Sequence, residues 1–242
     1  MGSFFPVLIL AGGLGTRISS IYPDIPKALI PINSKPFIEY QLKLLAREGV
    51  TEVILCLGHL SKKIETYLIN AETFGIDITY SYDGDKLLGT GGAILKASKN
   101  LRGPFAVLYG DSYLDTNFSP IKRAFLDAEK PGLMTVFKNN NQWDTSNILY
   151  TEGQILKYKK GKGNSKLECE YIDYGLTIFD YKALDHFIER KSFDLSEVFV
   201  DLITNKQLAA YEVKDRFYEI GSSSGLQTLT VHLSDKQSKN SI

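Results

Sequence analysis

Cysteine is almost absent from these 242 residues. Cys56 and Cys169 are too few and too far apart for a disulfide framework or a metal knuckle, so a reduced, cytoplasmic protein is expected. Histidine is nearly as scarce. His59, His186 and His232 are isolated in the sequence, with no spacing that suggests a catalytic triad or a zinc site. Net charge is lacking too, because Lys+Arg 28 balance Asp+Glu 28. That balance gives no support for a nucleic-acid or anionic-membrane partner, and any phosphate site has to be built by local clustering. No apolar run is long enough to span a bilayer. The run near the start, residues 4–11, has no Lys or Arg before it and is cut short by glycines, unlike a signal peptide.

Two familiar phosphate loops are also missing. A P-loop would place Gly-Lys-Ser/Thr after its glycines, where this chain has Thr16-Arg17. The dinucleotide fingerprint needs a glycine three residues after Gly15, and position 18 is Ile, a β-branched residue that obstructs close packing of helix on strand. What the chain does have is a different glycine turn flanked by two cations. Val7 to Ala11 is an apolar run without polar alternation, the pattern of a strand buried on both faces of a parallel sheet. It stops at Gly12, Gly13 and Gly15, where the missing Cβ lets the backbone turn and bring N–H groups close to a bulky anion. Arg17 follows, and Lys27 sits between Pro26 and Ala28 in a proline-punctuated segment that excludes a long helix. The two cations can converge on one polyphosphate.

Downstream, helical spacing over 36–48 ends at Gly49, a strand is predicted over 51–57, Ser61 is placed to cap the next helix, and 76–82 reads as a strand. A helix over 91–100, a buried strand over 104–109 and a helix started by Ser119-Pro120 and running to Ala128 follow. This alternation predicts an α/β fold: a doubly wound, mostly parallel, Rossmann-like sheet with ligands at the carboxyl ends of its strands. The pattern then changes. Short strand-like runs at 133–137, 147–150, 154–158 and 171–179, with turns at Glu152-Gly153 and 161–165, predict a small antiparallel lobe covering the sheet. Helical stretches at 181–190 and 196–204, a strand at 207–213, a last helix capped by Ser222 and a frayed end from Ser234 complete the expectation.

The stretch Leu10-Ala-Gly-Gly-Leu-Gly-Thr-Arg17, followed by Pro26-Lys27-Ala-Leu-Ile-Pro31, closely resembles the signature of the sugar-1-phosphate nucleotidylyltransferases. The likeness continues at Leu88-Gly-Thr-Gly-Gly-Ala93, Gly110-Asp111 and Glu219-Ile-Gly221, in the family's order, and so spans nearly the whole chain. Within that group it looks most like the short enzymes that include heptose-1-phosphate guanylyltransferases and muramate-type uridylyltransferases. The resemblance implies Mg2+-dependent transfer of a nucleoside monophosphate from an NTP to a sugar 1-phosphate, for a surface glycan. It also implies one domain, with about 1–130 binding nucleotide and about 131–233 supplying the acceptor site and a C-terminal metal ligand.

Such a reaction makes definite demands. A phosphate monoester with a second pKa near ~6 is mostly dianionic at neutral pH, so the acceptor needs positive charge and alignment more than a general base. By resemblance, Arg17 and Lys27 hold the triphosphate and Lys160 the incoming phosphate. Leu10, Ala11, Gly12, Gly13, Gly15, Thr16 and Gly110 would line the nucleotide, and Asp83, Gly89 and Thr90 would flank its base. Asp111, at the end of a buried strand, and Glu219 are the metal candidates, since magnesium takes only one or two protein carboxylates when phosphates and waters fill its other positions. Asn147, Asp173 and Gly175 fall where the family meets its acceptor. This chain departs from the family by having Glu219 for Asp, Asp173 where Asn is frequent, and Lys159 where Glu often precedes the lysine. The extra lysine fits a more anionic acceptor or a solvated charge run over 157–162 equally well. Two alternatives remain: the same chemistry on a non-sugar phosphate such as phosphocholine, and a nucleotide-binding regulatory protein without turnover.

Overall fold

The apolar N-terminal run becomes strand β1 (Val7–Leu10), and helices and strands then alternate as the sequence predicts. In chain order come β2 (Pro31–Ile32), β3 (Lys35–Pro36), α1 (Phe37–Arg47), β4 (Glu52–Leu57), α2 (Ser61–Leu68), β5 (Asp77–Tyr82), α3 (Gly89–Ser98), β6 (Phe105–Tyr109), β7 (Ser112–Tyr113) and α4 (Phe118–Ala128). The second half holds β8 (Gly132–Lys138), β9 (Ile148–Thr151), β10 (Gln154–Tyr158), β11 (Tyr171–Phe179), α5 (Leu195–Thr204), β12 (Leu208–Val213), β13 (Tyr218–Glu219) and α6 (Ser223–Lys239). The computed structural model describes residues 3–13, 15, 18, 21–159 and 169–239.

Among the described residues a nine-stranded sheet runs β10-β9-β11-β6-β1-β4-β5, with β8 pairing β11 and β12 off that path. β1 lies between β4 and β6 and is parallel to both. That central place explains its unbroken apolar sequence: Val7 and Ile9 point into one core layer and Leu8 into the other, so neither face sees water. Leu42 and Leu45 of α1, Phe125 of α4 and Leu229 of α6 close the first layer. Ile94 of α3 and Val198 and Phe199 of α5 close the second. The sheet is therefore wound on both faces, and Leu10, Cys56 and Tyr109 end side by side at its carboxyl edge.

The antiparallel strands are present, but they extend the sheet instead of covering it. β11 pairs antiparallel with β6, Leu176 opposite Leu108, meets β9 at Tyr171 along the same edge, and carries β8 along its other edge. Its residues 174–179 are buried throughout, which suits an interior strand and not a lid. Between Asp173 and Thr177 its register with β8 shifts, a bulge that bends the strand beside β6.

Helix starts differ in detail from the expectation. Ser61 is the first helical residue of α2, and the cap position falls to Leu60, which makes no side-chain cap bond. Asn117, not Ser119, caps α4 by accepting the Ser119 N–H at 2.9 Å. Ser222 does cap α6, accepting the Gly225 N–H at 3.0 Å. The end expected to fray from Ser234 stays helical through Lys239. Leu229 and Leu233 seat it in the core, Asn33 donates to Ser234 Oγ at 3.1 Å, and Lys236 pairs with Asp115. Among the described residues no helix is long and apolar enough to cross a membrane.

Candidate active site

The site grows from the point where β1 and β6 finish together. Gly110 N–H donates to the Leu10 carbonyl at 3.1 Å, and a Cβ on Gly110 would lie 2.4 Å from that oxygen. Only glycine lets the two strand ends approach so closely, and the next residue, Asp111, emerges at the carboxyl edge. Lys27 comes from the other side, on a single 3-10 turn (Lys27–Leu29) entered through extended Pro26. Its Nζ donates to Asp111 Oδ2 at 2.8 Å, the two side chains being 22% and 27% exposed. Gly15, at φ +64, leaves room for the Lys27 stem, which lies 3.4 Å from where its Cβ would stand.

A cleft of about 240 Å³ opens above these groups. Of the residues singled out in the sequence, Leu10, Ala11, Gly12, Gly13, Lys27, Asp83, Gly89, Thr90, Gly110 and Asp111 all line it. Arg17, Thr16 and Lys160 lie outside the described residues. Cys56, Leu87 and Tyr109 also line the cleft and were not foreseen there. Cys56 and Tyr109 are the register partners of Leu10, so adjacency to the glycine turn was the signal that could have found them. Burial pushes the Cys56 thiol up to about 12, which makes it an inert wall and not a nucleophile.

At the far wall Asp83 Oδ2 accepts the Leu88 N–H at 3.3 Å, and burial raises its carboxyl above the usual range. Its Oδ1 has no hydrogen-bond partner among the described residues. The glycines that start α3 are closed off by a distant loop: the Gly91 and Gly92 N–H groups donate to the Phe193 carbonyl at 3.0 and 3.3 Å. Phe193 packs where side chains at 89 and 91 would be, its carbonyl oxygen 2.4 Å from a Cβ at 89 and its ring 2.3 Å from one at 91. Thr90 is similarly engaged: its hydroxyl donates to Asp194 and accepts the Leu195 N–H.

The residues expected on the acceptor side, Asn147, Asp173 and Gly175, are brought together next to Tyr109. Asn147 Oδ1 accepts the Asp173 N–H at 3.1 Å, Asp173 Oδ1 accepts the Gly175 N–H at 3.0 Å, and Asp173 Oδ2 accepts the Tyr109 hydroxyl at 2.9 Å. Burial lifts the Asp173 carboxyl to about 6 against the lowering pull of those two donors. Glu219 sits opposite Ser112 on the β13–β7 pair, and Ile220 N–H donates to the Asp111 carbonyl at 3.0 Å. The Glu219 carboxylate, however, accepts the Gly221 N–H at 2.6 Å and the Ser222 hydroxyl, so it is folded onto the start of α6. Among the described residues no three His, Cys, Asp or Glu side chains form a ready-made metal cage. An ion that takes one or two carboxylates and completes its shell with phosphate and water needs none. Asp111, on the cleft wall and partnered among the described residues by the part-exposed Lys27 ammonium alone, fits that requirement better than Glu219.

A second cluster was invisible in the sequence. Asp115 is only 14% exposed at its side chain and receives Arg47 Nη1 at 3.2 Å, His232 Nε2 at 3.0 Å and Lys236. Burial alone would raise its carboxyl, but hydrogen bonds from Lys236, His232 and Arg47 outweigh it and hold it below the usual range. His232, expected to be isolated, also meets the Tyr218 hydroxyl through Nδ1 at 3.0 Å.

Topology and cleft together define the class: an α/β protein with a ligand site at the carboxyl edge of a parallel sheet. Comparison with known proteins is more specific. The chain belongs to the nucleotidyl transferase family, which it matches over residues 6–233. It is similar to D-glycero-alpha-D-manno-heptose 1-phosphate guanylyltransferase of Campylobacter jejuni, 32% identical over 214 residues that cover 88% of this chain and 93% of that protein. It is also similar to UTP–glucose-1-phosphate uridylyltransferase of Synechocystis, 27% identical over 87% of this chain, although it spans only 58% of that relative's length. Among solved structures, HddC from Yersinia pseudotuberculosis superimposes with a TM-score of 0.76 at 24% identity over 95% of this chain and 100% of that one, a likeness of fold.

Proposed function

We propose that this chain transfers a guanylyl group from GTP to the phosphate of a sugar 1-phosphate, releasing pyrophosphate and an activated sugar, in the cytoplasm and with a divalent magnesium ion. The observation that carries this reading is the Lys27–Asp111 pair across the cleft, 2.8 Å apart beneath the glycine turn. A polyphosphate there would draw the ammonium of Lys27, and Asp111 would then be open to hold a metal ion. Magnesium, when bound, would neutralise charge on the reacting phosphates. Lys27, with Arg17 from the same glycine segment, would hold the leaving pyrophosphate in line, and Lys160 the attacking phosphate. Glu219 would join the metal only through the lone pairs that Gly221 and Ser222 leave open. Residues 1–130 would serve the nucleotide, and 131–233 the acceptor together with the C-terminal metal segment.

The choice of base rests on Asp83. A carboxylate oxygen without a partner at the cleft wall suits guanine, which offers adjacent N1–H and N2–H donors, better than uracil with its single N–H donor. The similarity to a guanylyltransferase over nearly its full length supports the same choice. The test pairs each of the four NTPs with a panel of sugar 1-phosphates in magnesium and scores pyrophosphate. GTP is expected to lead, and silence from every pair would sink the reading.

A further inference from the structure

The acceptor-side loop before β9, the segment before β13 and helix α6 are joined by a column of stacked side chains. The Arg216 guanidinium carbon lies 3.4 Å from the centre of the Trp143 ring and 4.7 Å from that of Tyr218. Tyr218 stacks in turn on His232, the centroids 4.2 Å apart and the planes at 23°. Arg216 has aromatic partners only: among the described residues it makes no ion pair or hydrogen bond, and its Nε is buried without an acceptor. The neighbouring carboxylate of Asp215 is engaged with the Thr116 hydroxyl at 2.8 Å.

The side chain is only partly buried, yet its Nε is enclosed without an acceptor and no acid meets it among the described residues, so its N–H groups are open to an incoming anion. With the faces occupied, the N–H edges remain, and their fork matches a carboxylate or a phosphate. Its place in the chain says which part of a ligand it could meet. Arg216 precedes Glu219 by three residues, at most about 10 Å of extended chain from the carboxylate pair, and Trp143 precedes Asn147 by four. That bound keeps Arg216 within reach of the far end of a sugar whose phosphate lies at the carboxylate pair.

We infer that Arg216 is a specificity-determining residue holding a second anionic group, a carboxylate or phosphate remote from the reacting phosphate, so that the acceptor is an acidic sugar 1-phosphate. The inference rests on reading the cleft as a nucleotidyl-transfer site. It explains why a cation is clamped between two rings without a counter-ion among the described residues, and why Trp143 is turned to it.

Trp143 is the single tryptophan, so its emission reports directly on ligands that reach Arg216. The experiment titrates the protein with glucose 1-phosphate, glucuronic acid 1-phosphate and glucose 1,6-bisphosphate, following Trp143 fluorescence, and measures kcat and KM for each with GTP and magnesium. One of the two doubly charged acceptors is expected to exceed glucose 1-phosphate about tenfold or more in kcat/KM, mainly through KM, and to change the emission. Whichever leads names the group as carboxylate or phosphate. Arg216→Gln, and Arg216→Lys, which keeps a cation on the rings but loses the fork, should each bring that ratio near one while their melting curves still show folded protein. A wild-type ratio near one, or a ratio that Arg216→Gln leaves unchanged, overturns the inference while turnover of glucose 1-phosphate upholds nucleotidyl transfer. No pyrophosphate from any acceptor with any NTP overturns both.

Discussion

Asp111 and Lys27 occupy each other in a contact that a ligand can open at little cost. Both side chains are partly exposed, and pairs of this kind contribute only about 0–1 kcal/mol. The contact therefore holds the two groups ready without locking them. Asp111→Asn should keep the fold, with little change in melting temperature, and reduce turnover by about a hundredfold or more, as loss of a group stabilising transition-state charge does. Near-normal rates in excess magnesium would remove Asp111 from the metal site. Asp173 makes a different prediction, because its carboxyl is raised from 3.8 to about 6 by burial. A raised acid is bound in its neutral form, so its contribution to stability is fully present below pH 3.8 and is lost as pH rises through about 6. The difference in melting temperature between wild type and Asp173→Asn should change across that window and level off above it. A difference that stays constant from pH 4 to pH 7 would contradict the assignment.

At the scale of elements, what was legible in the sequence is what local pattern controls. The apolar run of β1, Gly49 closing α1 and the Glu152-Gly153 turn between β9 and β10 each need only neighbours in the chain, and each is found. The glycine-cation grouping was legible for the same reason, since Gly15 and Lys27 lie close in sequence as well as in space. Contacts across long separations were not. Asp115 and His232 are 117 residues apart, and the Phe193 carbonyl that closes the start of α3 comes from a loop a hundred residues downstream of it. The persistence of α6 beyond Ser234 follows from such distant partners and not from helix propensity. Asp115 is the centre of that attachment, shared by β7's flank, α1 and α6 through Arg47, His232 and Lys236. Asp115→Ala leaves three donors without their acceptor, and hydrogen bonds to charged groups contribute about 1.5–3 kcal/mol each at most. A loss of about 2 kcal/mol in urea unfolding is expected, together with faster hydrogen exchange in the last two turns of α6. Unchanged exchange there would show that the helix is held by Leu229 and Leu233 alone.

On the scale of the whole molecule, one sheet carries both groups of proposed site residues, and β6 is its seam. Parallel pairing with β1 delivers Gly110 and Asp111 to the cleft, while antiparallel pairing with β11 brings Asp173 and Gly175 alongside. Tyr109 belongs to both: its side chain lines the cleft and its hydroxyl holds Asp173 at 2.9 Å. Packed sheets deform little, so this hydrogen bond is a direct contact between the cleft wall and the Asp173 group. Removing the hydroxyl in Tyr109→Phe keeps the ring in the wall but withdraws a donor that favours the ionised carboxylate, so the Asp173 pKa should rise above about 6. The acid limb of the pH profile of kcat/KM for the acceptor should then move to higher pH, with KM for the acceptor rising more than KM for the nucleotide. An unmoved acid limb would mean that Asp173 is not felt by the reaction. Equal losses on both substrates would mean that Tyr109 acts on the cleft wall alone.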